Sequence, residues 1–212
     1  MSYTCMARLL ASAVHDMRNI LAVIRESAGL AQDLTSLDST GPVQEEHKKE
    51  LASSLDEVRR QVLLAAQLAE GLEFMAQADM VEGAASCDLA RVCRLFCRMA
   101  TRHARATQIR LQSSEHEEPV WAAVSPLDVL QALLDILDVC IAVGGRVDLS
   151  FTAARRLHDE YVEVRVSGGE NTALALSALT GNPLQDKSCQ CLLRPGSEAG
   201  TFILVWRSKE VA

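Results

Sequence analysis

The residues best suited to chemistry lie together near the N-terminus, in the stretch His15-Asp16-Met17-Arg18-Asn19. An imidazole has an ordinary pKa of about 6.5, so at pH 7 it is largely neutral and available as a nucleophile. Asp16 flanks the ring from the adjacent position. Residues four apart share a helix face, so Asn19 points the same way as His15. This set of side chains suits the carriage of a phosphoryl group on a histidine. The alternative is a surface histidine with charged neighbours by chance.

The element that must position these residues is a long amphipathic helix, predicted from about Thr4 to Leu37. Its apolar residues recur at alternating spacings of four and three, which is a heptad pattern. The stripe consists of Leu10, Val14, Met17, Leu21, Ile24, Ala28 and Ala31. His15 lies one residue off this seam. We therefore expect its ring to flank the buried core and to face water.

A second helix is predicted from about Val43 to Ala78, after a turn at Asp38-Ser39-Thr40-Gly41-Pro42. Its heptad stripe is Leu51, Leu55, Val58, Val62, Ala65, Ala69 and Leu72. Two such helices joined by a short loop make an antiparallel hairpin. A hairpin cannot bury two stripes alone, so dimerisation into a four-helix bundle is the simplest closure. Packing on the rest of the same chain is the alternative.

The pattern changes after Ala78, where short strands begin to alternate with helices. Asp88 is a predicted N-cap of one helix, and Pro126 stands at the favoured first position of another. Strands are predicted at 108–112, 120–124, 147–152, 161–167 and 201–207. The prediction is an α+β fold with two domains. A helical hairpin spans residues 1–80, and an α/β sandwich with helices on one face of a sheet spans residues 81–212.

Composition excludes several classes of function. A net charge of -7 and a pI near 5.3 argue against nucleic-acid binding. No apolar run approaches the roughly 20 residues that span a bilayer, and no signal peptide is recognised, so no membrane partner is expected. Seven cysteines without disulfide spacing fit a reducing, cytoplasmic location. Cys93 and Cys97 are interpreted as core residues. A metal site that also includes His103 is the less favoured alternative.

The His15–Asn19 stretch resembles the phosphoacceptor box of sensor histidine kinases, which reads His-Asp/Glu-x-x-Asn/Thr. The order of elements after it is similar to the ATP-binding domain of the same proteins. Ala106–Leu111 resembles the first strand of that domain, and Val124–Cys140 resembles the strand and helix that carry its Mg²⁺-binding asparagine. The resemblance covers nearly the whole chain.

The residues that hold ATP in those kinases are missing here. The motif Asn-x-x-x-Asn-Ala is replaced in Leu134–Cys140, where Asp138 remains a candidate oxygen ligand for a hard cation. The motif Asp-x-Gly-x-Gly becomes Ser167-Gly168-Gly169-Glu170, without the aspartate that bonds adenine. The lid segment is reduced to a stretch around Leu174–Leu179. We expect nucleotide affinity to be lost, and we interpret Ser167-Gly168-Gly169 as a turn.

A phosphoacceptor hairpin followed by such a degenerate domain resembles the dimeric ChpT-like histidine phosphotransferases. These proteins relay phosphoryl groups between aspartates of response-regulator receiver domains in two-component phosphorelays, without using ATP. The resemblance implies a phosphohistidine intermediate at His15, with Asp16 and Asn19 in catalytic roles. It implies a homodimer that binds receiver domains and needs no cofactor of its own, since Mg²⁺ is expected on the receiver.

Recognition of a receiver is expected to use the exposed flank of the first helix, because exposed apolar residues beside a reactive histidine suit a partner helix. The residues predicted to bind the partner are Arg18, Ile20, Val23 and Ile24. Three other readings stay open. They are a diverged histidine kinase, a phosphatase or sequestering regulator of receivers, and a structural dimerisation module.

Overall fold

The structure is a computed structural model that describes residues 2–36, 42–80, 86–114, 118–156, 159–169, 171–180 and 191–206. Of the predicted turn at 38–42, residues 38–41 lie outside the described ranges. Two long helices come first, α1 (Ser2–Ser36) and α2 (Pro42–Met80). Both match the predicted helices to within two residues. Within the described ranges, no helix is both long and apolar enough to cross a membrane.

The second half alternates strands and helices. The elements are β1 (Cys87–Asp88), α3 (Leu89–Arg105), β2 (Ile109–Ser113), β3 (Trp121–Ala122), α4 (Pro126–Val143), β4 (Val147–Arg156), β5 (Asp159–Ser167), α5 (Thr172–Thr180), β6 (Cys191–Pro195) and β7 (Thr201–Trp206). A five-stranded sheet has the order β2-β4-β5-β7-β6, in which only β2 and β4 are parallel. β1 and β3 pair separately. The predicted α+β class is confirmed.

The caps of α3 and α4 explain where these helices begin. The Asp88 carboxylate accepts hydrogen bonds from the backbone N–H of Ala90 and of Val120, each at 3.0 Å. It therefore caps α3 and holds the neighbouring strand at the same time. The Ser125 hydroxyl accepts from the Leu127 N–H at 3.3 Å, and Pro126 follows at the first helical position. Both predicted helix starts are confirmed.

One face of the sheet is buried beneath the helices. Alternate residues of β4, from Val147 to Ala153, are buried, as a strand covered on one side requires. The rings of Phe96 on α3 and Phe151 on β4 meet edge to face, with centroids 5.6 Å apart. A mainly apolar core therefore joins the helices to the sheet.

The chain divides into two compact units, residues 13–73 and residues 1–12 with 74–212. The first contains most of α1 and α2. The face of α1 that is buried in the chain carries Leu9, Ala13, Ile20 and Ala31. The predicted seam is therefore displaced, because Leu10, Val14 and Leu21 stay exposed.

Candidate functional site

The His15 ring and the Asn19 amide meet on one face of α1, as the spacing of four predicted. Asn19 Nδ2 lies 3.1 Å from His15 Nδ1, within hydrogen-bonding distance. The Asp16 carboxylate approaches the same ring nitrogen at 3.9 Å. Because Nδ1 faces both polar neighbours, ring geometry places Nε2 on the opposite edge of the imidazole. The amide and the carboxylate thus converge on Nδ1, at the edge of the ring opposite Nε2.

The His15 side chain is 46% exposed and that of Asp16 is 24% exposed. Arg18 and Asn19 are also exposed. The ring is therefore open to solvent in the structure. The expected solvent-facing position of His15 is confirmed.

The flank predicted to bind a partner needs one correction. Ile20 keeps only 8% of its surface exposed, because it lies on the same buried face as Ala13 and Ala31. The prediction of an exposed Ile20 is wrong. Val23 and Ile24 are half-buried.

Leu30 is an exposed apolar residue that sequence reasoning missed. It retains half of its surface, at 50% exposure. Steps of four, four, three and four residues lead from His15 through Asn19, Val23 and Glu26 to Leu30, so all five share one helix face. The spacing between His15 and Leu30 indicates this shared face, whereas the heptad stripe used for the prediction lies on a neighbouring face.

A second apolar stripe stays exposed beside the buried faces of the two helices. On α1 it contains Leu10, Val14 and Leu21, and on α2 it contains Leu55 and Val62. The spacings of four and seven on α1 and of seven on α2 are those of a helix that packs on another helix. Each long helix therefore carries an apolar stripe that remains exposed within this chain.

Asp138, the candidate cation ligand, has its carboxylate paired with an arginine side chain. Both Asp138 oxygens accept hydrogen bonds from the Arg8 guanidinium, at 2.5 and 2.8 Å. Arg8 also lies 2.8 Å from His103 Nε2, so α1 meets α3 and α4 at this point. In the structure a bidentate guanidinium therefore satisfies this carboxylate.

The glycines of Ser167-Gly168-Gly169 have structural reasons to be glycine. Their φ angles are +66° and +129°, which side chains with a Cβ rarely adopt. A Cβ on Gly169 would overlap the carbonyl oxygen of Arg146 and lie 2.8 Å from its carbon. Asn171 closes the turn by donating to the Gly144 carbonyl at 2.9 Å. Backbone packing accounts for these glycines, in agreement with their interpretation as a turn.

The cysteines of α3 belong to the core. Cys93 and Cys97 are buried, and burial raises the pKa of the Cys97 thiol to about 12. Core packing is therefore confirmed for both thiols. Among the described residues, no three His, Cys, Asp or Glu side chains are grouped to hold a metal ion. His103 contacts Arg8 instead of a thiol.

No protein-family model matches this sequence, and no curated protein matches it. Among solved structures, the chain is similar to the catalytic domain of the histidine kinase ThkA, at 13% identity over 57% of this chain and 92% of that one, with a TM-score of 0.40. It is also similar to a bacterial phosphotransferase, at 12% identity over 96% of both chains, with a TM-score of 0.36. The Acinetobacter baumannii histidine kinase AdeS matches at 11% identity over 90% of this chain and 94% of that one, with a TM-score of 0.35. At these identities the similarity concerns only the path of the chain.

Proposed function

We propose that this protein is a histidine phosphotransferase that relays phosphoryl groups between response-regulator receiver domains through phospho-His15. The observation that carries the proposal is the exposed His15 ring, whose Nδ1 faces Asn19 and Asp16. An aspartyl phosphate is already an activated donor. Positioning and charge neutralisation are therefore the main tasks left to the protein.

In the proposed step, the Nε2 lone pair of His15 attacks the phosphorus of a receiver aspartyl phosphate. The N–P bond forms while the P–O bond to the carboxylate breaks, and the carboxylate leaves with the electron pair. Nδ1 keeps its proton, so the ring becomes positively charged. Asp16, 3.9 Å from Nδ1, stabilises that charge. A second receiver aspartate removes the phosphoryl group by the reverse reaction.

Asn19 selects the reactive tautomer in this scheme. When the Asn19 amide nitrogen donates to Nδ1, the proton of the neutral ring lies on Nε2. Nε2 then has no free lone pair with which to attack. Rotation of the amide presents its oxygen to an Nδ1–H, which frees the Nε2 lone pair. Both orientations fit the same 3.1 Å separation, because the two ends of the amide have nearly the same size. Asn19 is thus a positioning residue for the imidazole.

No cofactor held by this chain is needed for the step. The Mg²⁺ that neutralises the transferring phosphoryl group is proposed to arrive with the receiver. ATP is not proposed as a donor. Arg8 neutralises Asp138, and backbone packing accounts for the glycines of the 167–169 turn.

The receiver is proposed to bind along the α1 face that contains His15, Asn19, Val23, Glu26 and Leu30. Leu30 replaces Ile20 as the apolar anchor, because only Leu30 is exposed. Arg18 is exposed close to the ring and is proposed to contact the phosphoryl group or the receiver.

We further propose that the exposed second stripe is buried against another copy of the chain. Leu21→Glu with Val62→Glu should then convert a dimer into monomers in analytical ultracentrifugation. Leu30→Glu is the control, since it places one such charge on the receiver-binding face. It should leave the dimer intact and slow transfer. Dimers that persist in the Leu21/Val62 variant would exclude this interface.

The decisive experiment incubates a receiver carrying labelled phosphate with the wild type and with His15→Ala. Label should reach the wild type as an acid-labile, base-stable phosphohistidine and should then pass to a second receiver. His15→Ala should carry none. Label on the His15→Ala protein would refute the assignment.

Asn19 separates transfer from the competing phosphatase reading. Asn19→Asp provides only an acceptor for Nδ1–H, so transfer should persist, whereas Asn19→Ala should slow it by about tenfold. A phosphatase that uses the amide to align water should lose its activity in both variants. It should also release free phosphate without label on His15. Autophosphorylation of the wild type with ATP would instead support a diverged kinase.

A further inference from the structure

The outward face of α3 carries a row of arginines. Arg91, Arg94, Arg98, Arg102 and Arg105 follow one another at spacings of three, four, four and three, which places all five on one side of the helix. Four of them are exposed, and Arg94 is half-buried. The opposite side of α3 supplies ten buried residues to the core.

This row is opposite in sign to the rest of the molecule. α3 contains no Asp or Glu, so its arginines give it a charge of +5. The whole chain has a net charge of -7, which leaves -12 on the remaining residues. The arginines span about 21 Å of helix. Within the part of the chain that the structure describes, α3 thus presents an extended row of basic side chains on an acidic protein.

Arg91 has a role inside the fold, since its guanidinium lies over the Phe74 ring, 5.1 Å from the centroid. The other three exposed arginines are Arg98, Arg102 and Arg105, which we call the α3 arginine row. Arg98 and Arg102 also interact with residues of this chain. The three side chains of the α3 arginine row are exposed together with these contacts, so their positive charge still acts toward solvent.

We propose that the α3 arginine row steers a negatively charged receiver domain toward this protein. The inference rests on the proposed function, because that function makes a receiver domain the partner. A chain of net charge -7 would otherwise slow the approach of such a partner. A concentrated patch of the opposite sign raises association rates by about 10- to 1,000-fold, and salt screens its effect.

The test compares two triple variants with the same change in charge. Arg98→Gln/Arg102→Gln/Arg105→Gln removes the row, and Arg59→Gln/Arg146→Gln/Arg156→Gln removes three exposed arginines elsewhere. Phosphotransfer from a labelled receiver is measured at about 20 and 500 mM salt, and thermal unfolding identifies any loss of structure. The row variant should lose about tenfold in kcat/KM at low salt, with kcat unchanged and the difference gone at high salt. The control should change by less than twofold.

Equal kcat/KM in the two triple variants at low salt would overturn the proposal. A loss that persists at 500 mM salt would assign the row to folding, and so would a fall in kcat. Tight binding of a DNA duplex that requires the row would assign it to nucleic acid instead. If the wild type accepts no label at His15, the proposed function fails. Equilibrium binding of the receiver at low salt then decides separately whether the row attracts it.

Discussion

Replacing Gly169 with alanine tests whether the 167–169 turn is structural or belongs to a phosphate site. The backbone there has a φ of +129°, which costs a residue with a Cβ about 1–3 kcal/mol. The new methyl group would also overlap the Arg146 carbonyl, and overpacking of this kind costs about 1–3 kcal/mol more. We expect the free energy of unfolding to fall by about 2–6 kcal/mol. For a chain of this size the melting temperature should fall by about 10 °C.

Tryptophan fluorescence is a suitable assay, because the chain has two tryptophans and both, Trp121 and Trp206, lie in the α/β part. Gly29→Ala is the matched control. It lies inside α1 with no atom within 4 Å of the new Cβ, so stability should hold or rise by up to about 1 kcal/mol. An unchanged melting temperature for Gly169→Ala would refute the structural reading. So would measurable ATP binding by the wild type that Gly169→Ala abolishes.

Burial raises the pKa of Cys97 and Cys140 to about 12, against about 8.5 in the unfolded chain. Only the unfolded thiols ionise as the pH rises above 8.5, so the free energy of unfolding should fall by about 1 kcal/mol per thiol per pH unit. The melting temperature at pH 10 should therefore be lower than at pH 8. A pH-independent melting temperature would contradict this. Arg8→Ala should lower the free energy of unfolding in urea by about 0.5–1 kcal/mol, since the ion pair with Asp138 is partly exposed. A decrease of more than about 3 kcal/mol would contradict this estimate. Gln108 lies in the turn between α3 and β2 at a φ of +63°, which residues with a Cβ rarely adopt. Gln108→Gly should therefore stabilise the protein by about 0.5–1 kcal/mol, and a lower melting temperature would count against that strain.

Features set by local physics could be read from the sequence. The limits of α1 and α2 follow from long apolar periodicity, and the starts of α3 and α4 follow from Asp88 and Pro126, whose side chains favour the first turn of a helix. The His15–Asn19 contact is local in the same way, because a spacing of four on a helix brings two side chains together. A predicted helix was therefore sufficient for this part of the site.

Features set by distant partners could not be read in this way. Arg8 and Asp138 are separated by 130 positions, and no local pattern announces a bidentate pair between them. β1 and β6 were also missed. β1 has only two residues, and β6 holds Arg194 and Pro195 in place of an apolar alternation.

The displaced seam on α1 is the most instructive difference, because the helix has two adjacent apolar stripes. Periodicity locates apolar residues on a helix, but it does not say which neighbour covers each of them. The predicted seam mixed the stripes, since Ala31 is buried in the chain while Leu21 is 56% exposed. A helix that packs on a single neighbouring helix needs only one apolar stripe. α1 has a second stripe, and residues with the same heptad spacing are exposed on α2. The proposal of a bundle of more than two helices therefore rests on these two stripes, and such a bundle would leave the face with His15 and Leu30 for the proposed receiver domain.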